Sequence, residues 1–383
     1  MREPISVLVV DDSALMRSLI SRILDSAPDI SIAGKAMNGE FALRKLDMLD
    51  VDIITLDLEM PVMNGIEFLK ERRKRGIRTP VIILSSQAMR GAQVTMEALV
   101  LGASDFVLKP SGQESGDLHE VGDELIELVR AYGRRYKNEL PKGSPKAPVS
   151  SRPSARKETN RVRRAGEHGD RTVVSPGAAA GALVARRSPG RIEIVAIGIS
   201  TGGPNALRQV LPRIDRALNA PVVIVQHMPP GFTAEFAASL DNMCPLEVKE
   251  ASDGDLLKPG RVLIAPGDQH MFLEEKRLAK IIRLSRDAPV NGHRPSAGVL
   301  FSSVSRIYKN RSLAIIMTGM GRDGAAEIGR IFEEGGLTLA QDEESCVVFG
   351  MPKAAIELGA IHSVVPLAEI AGTVNRLVND SES

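Results

Sequence analysis

Tryptophan is missing from this chain of 383 residues, aromatic residues make up only 3%, and cysteine occurs twice, at Cys244 and Cys346. Two cysteines cannot build a disulfide framework, so a reducing compartment is expected. Charge of one sign is lacking too. Lys and Arg number 49 against 48 Asp and Glu, a net charge of +1, which leaves the whole chain without an electrostatic footprint for nucleic acid. No apolar run approaches the roughly 20 residues that a membrane-crossing helix requires, and the first run reaches Asp11 and Asp12 too soon for a secretory signal. The expectation is a soluble, cytoplasmic protein with no direct membrane insertion and no nucleic-acid partner, of two or three domains at about 150 residues each.

What is present is Val, Ile and Leu gathered into short runs, the pattern of buried parallel strands. From Ile5 to about Lys137, five such runs (Val7–Val10, Ser31–Ala36, Ile53–Leu56, Val81–Leu84 and Asp105–Leu108) alternate with amphipathic stretches, which predicts an α/β layout of the (βα)5 type. Between Lys137 and Gly190 the pattern stops. Pro, Gly, Ser and Ala dominate there, with 12 Lys or Arg against 4 Asp or Glu over 54 residues, the composition of a disordered linker. As a flexible coil it would span about 40 Å. From Arg191 strand and helix alternation resumes, predicting a second doubly wound parallel sheet.

In the first domain, Asp11 and Asp12 follow the first predicted strand, Asp57 the third, Ser85 the fourth and Lys109 the fifth. Open parallel sheets bind ligands at the carboxyl ends of their strands, so three carboxylates, a hydroxyl and an ammonium converge on one crevice. Clustered carboxylates call for a cation, and Mg²⁺ suits an all-oxygen site. With it in place Asp57 could attack a phosphoryl donor while Lys109 steadies the developing charge. The runs Val9-Val10-Asp11-Asp12, Leu56-Asp57-Leu58-Glu59-Met60-Pro61 and Asp105-Phe106-Val107-Leu108-Lys109-Pro110 resemble the receiver domain of bacterial response regulators over about residues 4–125, with a final helix extending to 137. The resemblance implies a flavodoxin-like fold and phosphorylation of Asp57 by a histidine kinase phosphodonor. It further implies Mg²⁺ held by Asp11, Asp12, Asp57 and the Glu59 backbone carbonyl, and movement of Ser85 and Phe106 upon phosphorylation.

In the second domain, Gly198-Ile199-Ser200-Thr201-Gly202-Gly203 places a serine at a strand-to-helix turn, where a hydroxyl can stand clear as a nucleophile. His227 follows the run Val222–Val225 and Asp323 lies on the glycine-rich turn after Leu313–Met317. Ser, His and Asp supply a nucleophile, a base and an orienting carboxylate. Their chain order differs from the Ser, Asp, His order of α/β-hydrolases, so that fold is not implied. Simpler roles exist for each: a phosphate-cradling turn at Ser200, a packed histidine at 227, a helix cap at Asp323. A dinucleotide site is disfavoured, because the turn lacks the middle glycine of the fingerprint and Val222–Val225 is not followed by an acidic residue. His270 and His293 are further candidates.

Together with Gln226-His227-Met228-Pro229-Pro230, the turn Asp268-Gln269-His270, His293-Arg294-Pro295-Ser296 and Thr318-Gly319-Met320-Gly321-Arg322-Asp323, this half resembles the chemotaxis protein-glutamate methylesterase family over about residues 191–375. The family implies a hydrolase domain at 191–383 and a linker at 138–190. It implies demethylation, and deamidation, of glutamyl and glutaminyl side chains on methyl-accepting chemotaxis receptors, with Ser200, His227 and Asp323 catalytic and backbone N–H groups of Thr201 and Met320 binding the oxyanion. No metal or other cofactor is expected in this half. Such an enzyme serves chemosensory adaptation under two-component control.

Overall fold

All five apolar runs of the first domain become parallel strands: β1 (Ile5–Val10), β2 (Ile30–Ala36), β3 (Ile53–Asp57), β4 (Val81–Ser85) and β5 (Asp105–Leu108), in the order β2-β1-β3-β4-β5. The computed structural model describes residues 3–86, 89–109, 115–139 and 183–379. Helices α1 (Ala14–Asp25), α2 (Gly39–Leu46), α3 (Gly65–Lys74), α4 (Met89–Val100) and α5 (Ser115–Glu139) alternate with the strands. Side chains set their starts. Ser13 and Asn38 each accept a backbone N–H of the first turn, and Asn64 and Glu67 form a reciprocal capping box. α5 runs two residues past the expected Lys137.

The second domain opens with β6 (Ile194–Ile199), α6 (Gly203–Val210), β7 (Val222–Gln226), α7 (Phe232–Asp241), β8 (Glu247–Glu250) and β9 (Arg261–Ile264). An antiparallel hairpin of β10 (His270–Lys276) and β11 (Ala279–Ser285) follows, then α8 (Ala297–Tyr308), β12 (Ser312–Ile316), α9 (Ala325–Glu333), β13 (Leu337–Gln341), α10 (Met351–Glu357), β14 (Ser363–Val365) and α11 (Leu367–Asn379). Seven strands form a parallel sheet, ordered β14-β13-β12-β6-β7-β9-β8. The chain winds outward from β6 through β7 on one side and β12 on the other, which makes the carboxyl end of β6 the topological switch point. In the first sheet that point lies between β1 and β3.

Buried Val, Ile and Leu from both faces of each sheet form the cores, and each fully buried side chain of this kind contributes on the order of 2 kcal/mol. One cluster is continuous across the domains. Most of the linker expected at 138–190 lies outside the described residues, but its last eight, 183–190, line the second domain: Arg186 N donates to Glu333 O at 2.7 Å, Gly190 N to Asn310 O at 2.9 Å, and Leu183 packs on the core. These residues belong with the hydrolase domain. No helix among the described residues is long and apolar enough to cross a membrane.

Candidate active site

The turn after β6 is dictated by glycine. A Cβ on Gly203 would sit 1.9 Å from Gln226 Oε1, and one on Gly319 would sit 2.7 Å from Ser200 Cβ. Their absence lets the ends of β6, β7 and β12 close on one another. Gln226 ties two of those ends, its Nε2 donating to Ser200 O and His227 O, each at 3.0 Å. Ser200 Oγ lies 3.0 Å from His227 Nδ1, and His227 Nε2 lies 2.9 Å from Asp323 Oδ2. The imidazole therefore faces the serine with Nδ1 and the carboxylate with Nε2. An acidic partner at Nε2 fixes the proton there and leaves the Nδ1 lone pair directed at the hydroxyl. Among the described residues neither Thr201 N–H nor Met320 N–H has a protein acceptor, so both remain available to an oxyanion.

Asp323 is 1% exposed. Burial alone would raise its carboxyl, but the hydrogen bond and charge of His227, with hydrogen bonds from Asn291 and Ser296, outweigh it and hold the group well below the ordinary carboxylate range. Oδ1 accepts from Asn291 Nδ2 at 3.0 Å and Ser296 Oγ at 2.7 Å, and Oδ2 from Ala297 N at 2.6 Å. The carboxylate thus sits at the N-terminus of α8, whose dipole favours its charge. The simpler role at the helix after Gly324 is not what the structure has, since Gly324 caps α9 without any side-chain bond. Asn291 has no part in the expectations from sequence, although Asn291-Gly292 is a strong turn signal, and Ser296 enters them only as the end of the run His293–Ser296, with no role assigned. His270 is buried and contacts Ala288 O through Nε2 at 3.1 Å. His293 stacks on His227 with ring centroids 3.9 Å apart. Cys346 is buried, and burial pushes its thiol up to about 12, the environment of an unreactive thiol.

At the receiver's strand ends, Lys109 Nζ is 2.7 Å from Asp57 Oδ2 and 2.9 Å from Asp11 Oδ2. Carboxylate oxygens of Asp11, Asp12 and Asp57 lie within 4.8 Å of one another. Asp11 Oδ2 is buried and receives no well-directed hydrogen bond, only the charge of Lys109, so the donor set fits a hard cation. Burial raises Asp57, opposed by Lys109 and reinforced by Asp11. Burial lowers Lys109, but its contacts with Asp57 and Asp11 outweigh that and raise it. Glu59 N donates to Asp57 Oδ1 at 3.2 Å, and buried Ser85 Oγ pairs with Thr95 Oγ1 at 2.7 Å.

The two centres are joined. Phe106 stacks on Phe232 at 5.0 Å with the rings 4° from parallel. Asp105 Oδ2 accepts from Gly202 N at 2.8 Å, capping the nucleophile turn from the other domain. Burial pushes the Asp105 carboxyl up to about 6, against hydrogen bonds from Gly202, Phe106 and Tyr132. Asn205 Nδ2 donates to Ser104 O at 2.5 Å, and α4 packs on α7.

Comparison with known proteins follows this division. The family described as CheB methylesterase matches residues 195–374, and the response regulator receiver domain matches 7–120. A protein of Treponema denticola named protein-glutamate methylesterase/protein-glutamine glutaminase is 52% identical over 374 residues, 98% of each chain. One of Bacillus subtilis with the same name is 42% identical over 377 residues, again 98% of each. The crystal structure of the Thermotoga maritima CheB methylesterase catalytic domain is 43% identical and covers 49% of this chain and 99% of that one, with a TM-score of 0.48. With a receiver and a methylesterase domain in one chain, and full-length relatives at this identity, the protein belongs to the CheB methylesterase family.

Proposed function

We propose that this protein hydrolyses glutamate methyl esters on chemoreceptors, releasing methanol, and deamidates receptor glutamines, under control of phosphorylation at Asp57. The observation that carries the reading is the hydrogen-bonded series Ser200, His227, Asp323 at a topological switch point. Ser200 Oγ attacks the side-chain carbonyl while His227 Nδ1 takes its proton; the same nitrogen then protonates departing methanol or ammonia. Asp323 orients the ring and stabilises the imidazolium. Thr201 and Met320 N–H groups take the oxyanion, a contribution of about 3 kcal/mol per donor in serine hydrolases generally. Water repeats the sequence to free the glutamate. Purified receptor carrying labelled methyl groups tests this: labelled methanol should appear with the wild-type protein and not with buffer, and its absence would exclude the activity.

In the receiver, Asp11, Asp12, Asp57 and the Glu59 carbonyl would hold Mg²⁺, which neutralises charge on the acceptor and an incoming phosphoryl group. A small phosphodonor, or a histidine kinase in the cytoplasm, should yield an acid-stable, base-labile acyl phosphate on Asp57. Mass spectrometry should find the modification lost in Asp57→Asn. Phosphate located on another residue would redirect the assignment.

The interface supports restraint of the esterase by the unphosphorylated receiver, since Ser85 and Phe106 are the residues expected to shift and Phe106 packs on Phe232. Asp105→Ala removes the acceptor for Gly202 N–H, a charge-assisted bond of roughly 1.5–3 kcal/mol. Basal methanol release by the unphosphorylated protein should rise severalfold, whereas Asp105→Asn, which retains an acceptor oxygen, should rise less. Unchanged basal rates in both would mean that this contact does not restrain the site.

A further inference from the structure

The catalytic imidazole is covered on one face by a second imidazole. His293 and His227 stack with centroids 3.9 Å apart and planes 14° from parallel. A tight turn delivers that ring: Val290 and His293 exchange backbone hydrogen bonds at 3.1 and 3.0 Å, and both central residues have positive φ, Asn291 at 53° and Gly292 at 80°. This is the signature of a type I′ turn. One side chain of the turn, Asn291, donates to Asp323, so the turn grips both partners of the Asp–His pair. Among the described residues the His293 ring nitrogens have no hydrogen-bond partner. It is the face of the ring that meets His227.

We propose that His293 is a positioning residue whose ring face fixes the plane of His227 and stabilises the imidazolium that forms when Ser200 gives up its proton. Resting on the esterase reading, this adds a group that acts through His227 without touching substrate. An aromatic face attracts a cation held over it. That face is useful only while His293 itself is uncharged. Burial, followed by the charge of His227, pushes it down to about 4 despite the opposing pull of Asp323, so its ring is uncharged at neutral pH. Among the described residues, the charged or titratable groups that act on His293 are His227 and Asp323.

Three variants of the intact protein separate the ring from its nitrogens. His293→Phe keeps an aromatic face without ring nitrogens, His293→Leu keeps bulk without a face, and His293→Gln is a second ringless side chain should Leu disturb folding. The Phe variant is expected to hold most of the wild-type kcat. The ringless variants should lose about tenfold in kcat with KM changed less than twofold, the rate equivalent of a partly desolvated cation–π contact. The acid limb of their kcat/KM profiles should move to lower pH, because a less stabilised imidazolium releases its proton more easily. Labelling of Ser200 by a serine-directed phosphonate should slow in the same order. Equal loss in Phe and the ringless variants, or no loss in any, would overturn the role of the ring face while leaving the esterase reading intact. No labelling of the wild-type protein would overturn both.

Discussion

Ser200→Ala is expected to lower methanol release about a million-fold, and His227→Ala by nearly as much, with the double variant no worse than either. The reason is that the groups act as one unit. Without the Ser200 hydroxyl there is no nucleophile for His227 to activate, and without His227 Nδ1, 3.0 Å away, the hydroxyl keeps its proton. Folding should hardly notice the serine change. The described hydrogen bonds of Ser200 Oγ are limited to His227, so the expected cost in stability is at most about 1 kcal/mol. Initial rates on labelled receptor, with melting temperatures alongside, measure both. Losses that multiply in the double variant would show two independent contributions and dissolve the relay.

Asp323→Asn should cost about ten-thousandfold in kcat. The surroundings decide which way the amide turns. Oδ1 receives Asn291 Nδ2, Ser296 Oγ and, at 3.4 Å, Gly298 N, so the amide oxygen is held on that side. The NH2 group must then face His227 Nε2 and Ala297 N. Two donors cannot share that contact unless Nε2 gives up its proton. The proton then resides on Nδ1, which can no longer accept from Ser200. Since Asp323 also caps α8, the same change should lower stability by a few kcal/mol. Retained turnover with a lowered melting temperature would leave Asp323 with the capping role alone.

Strands with aliphatic runs were legible from sequence because a sheet covered on both faces demands them: the runs at 7–10, 53–56, 81–84 and 222–225 all lie within observed strands. β8, with the sequence Glu-Val-Lys-Glu, lies at the sheet edge, and the hairpin β10–β11 carries Glu274, Lys276, Lys280 and Arg283. Neither needs an apolar run, so neither announces itself. In the site, residues at strand ends could be located because strand ends converge. The groups that hold Asp323 could not, since Asn291 and Ser296 lie about thirty residues upstream and reach it only through tertiary packing. Asp105 is a sharper case. Its partner, Gly202 N, is 97 residues away, and no local pattern marks a carboxylate that caps another domain's turn.

That carboxylate and its neighbour have a joint consequence. Asp105 and Phe106 are consecutive residues of one short strand, yet the first grips the turn that carries Ser200 and the second presses on Phe232, five residues beyond His227. Strand geometry sends them to opposite faces, so a single dipeptide straddles the nucleophile and base arms of the cleft. A shift in β5 large enough to free one arm strains the grip on the other. Release of the interface should then be all-or-none, and stepwise phosphorylation of a population should yield a mixture of two activities in changing proportion rather than a graded enzyme.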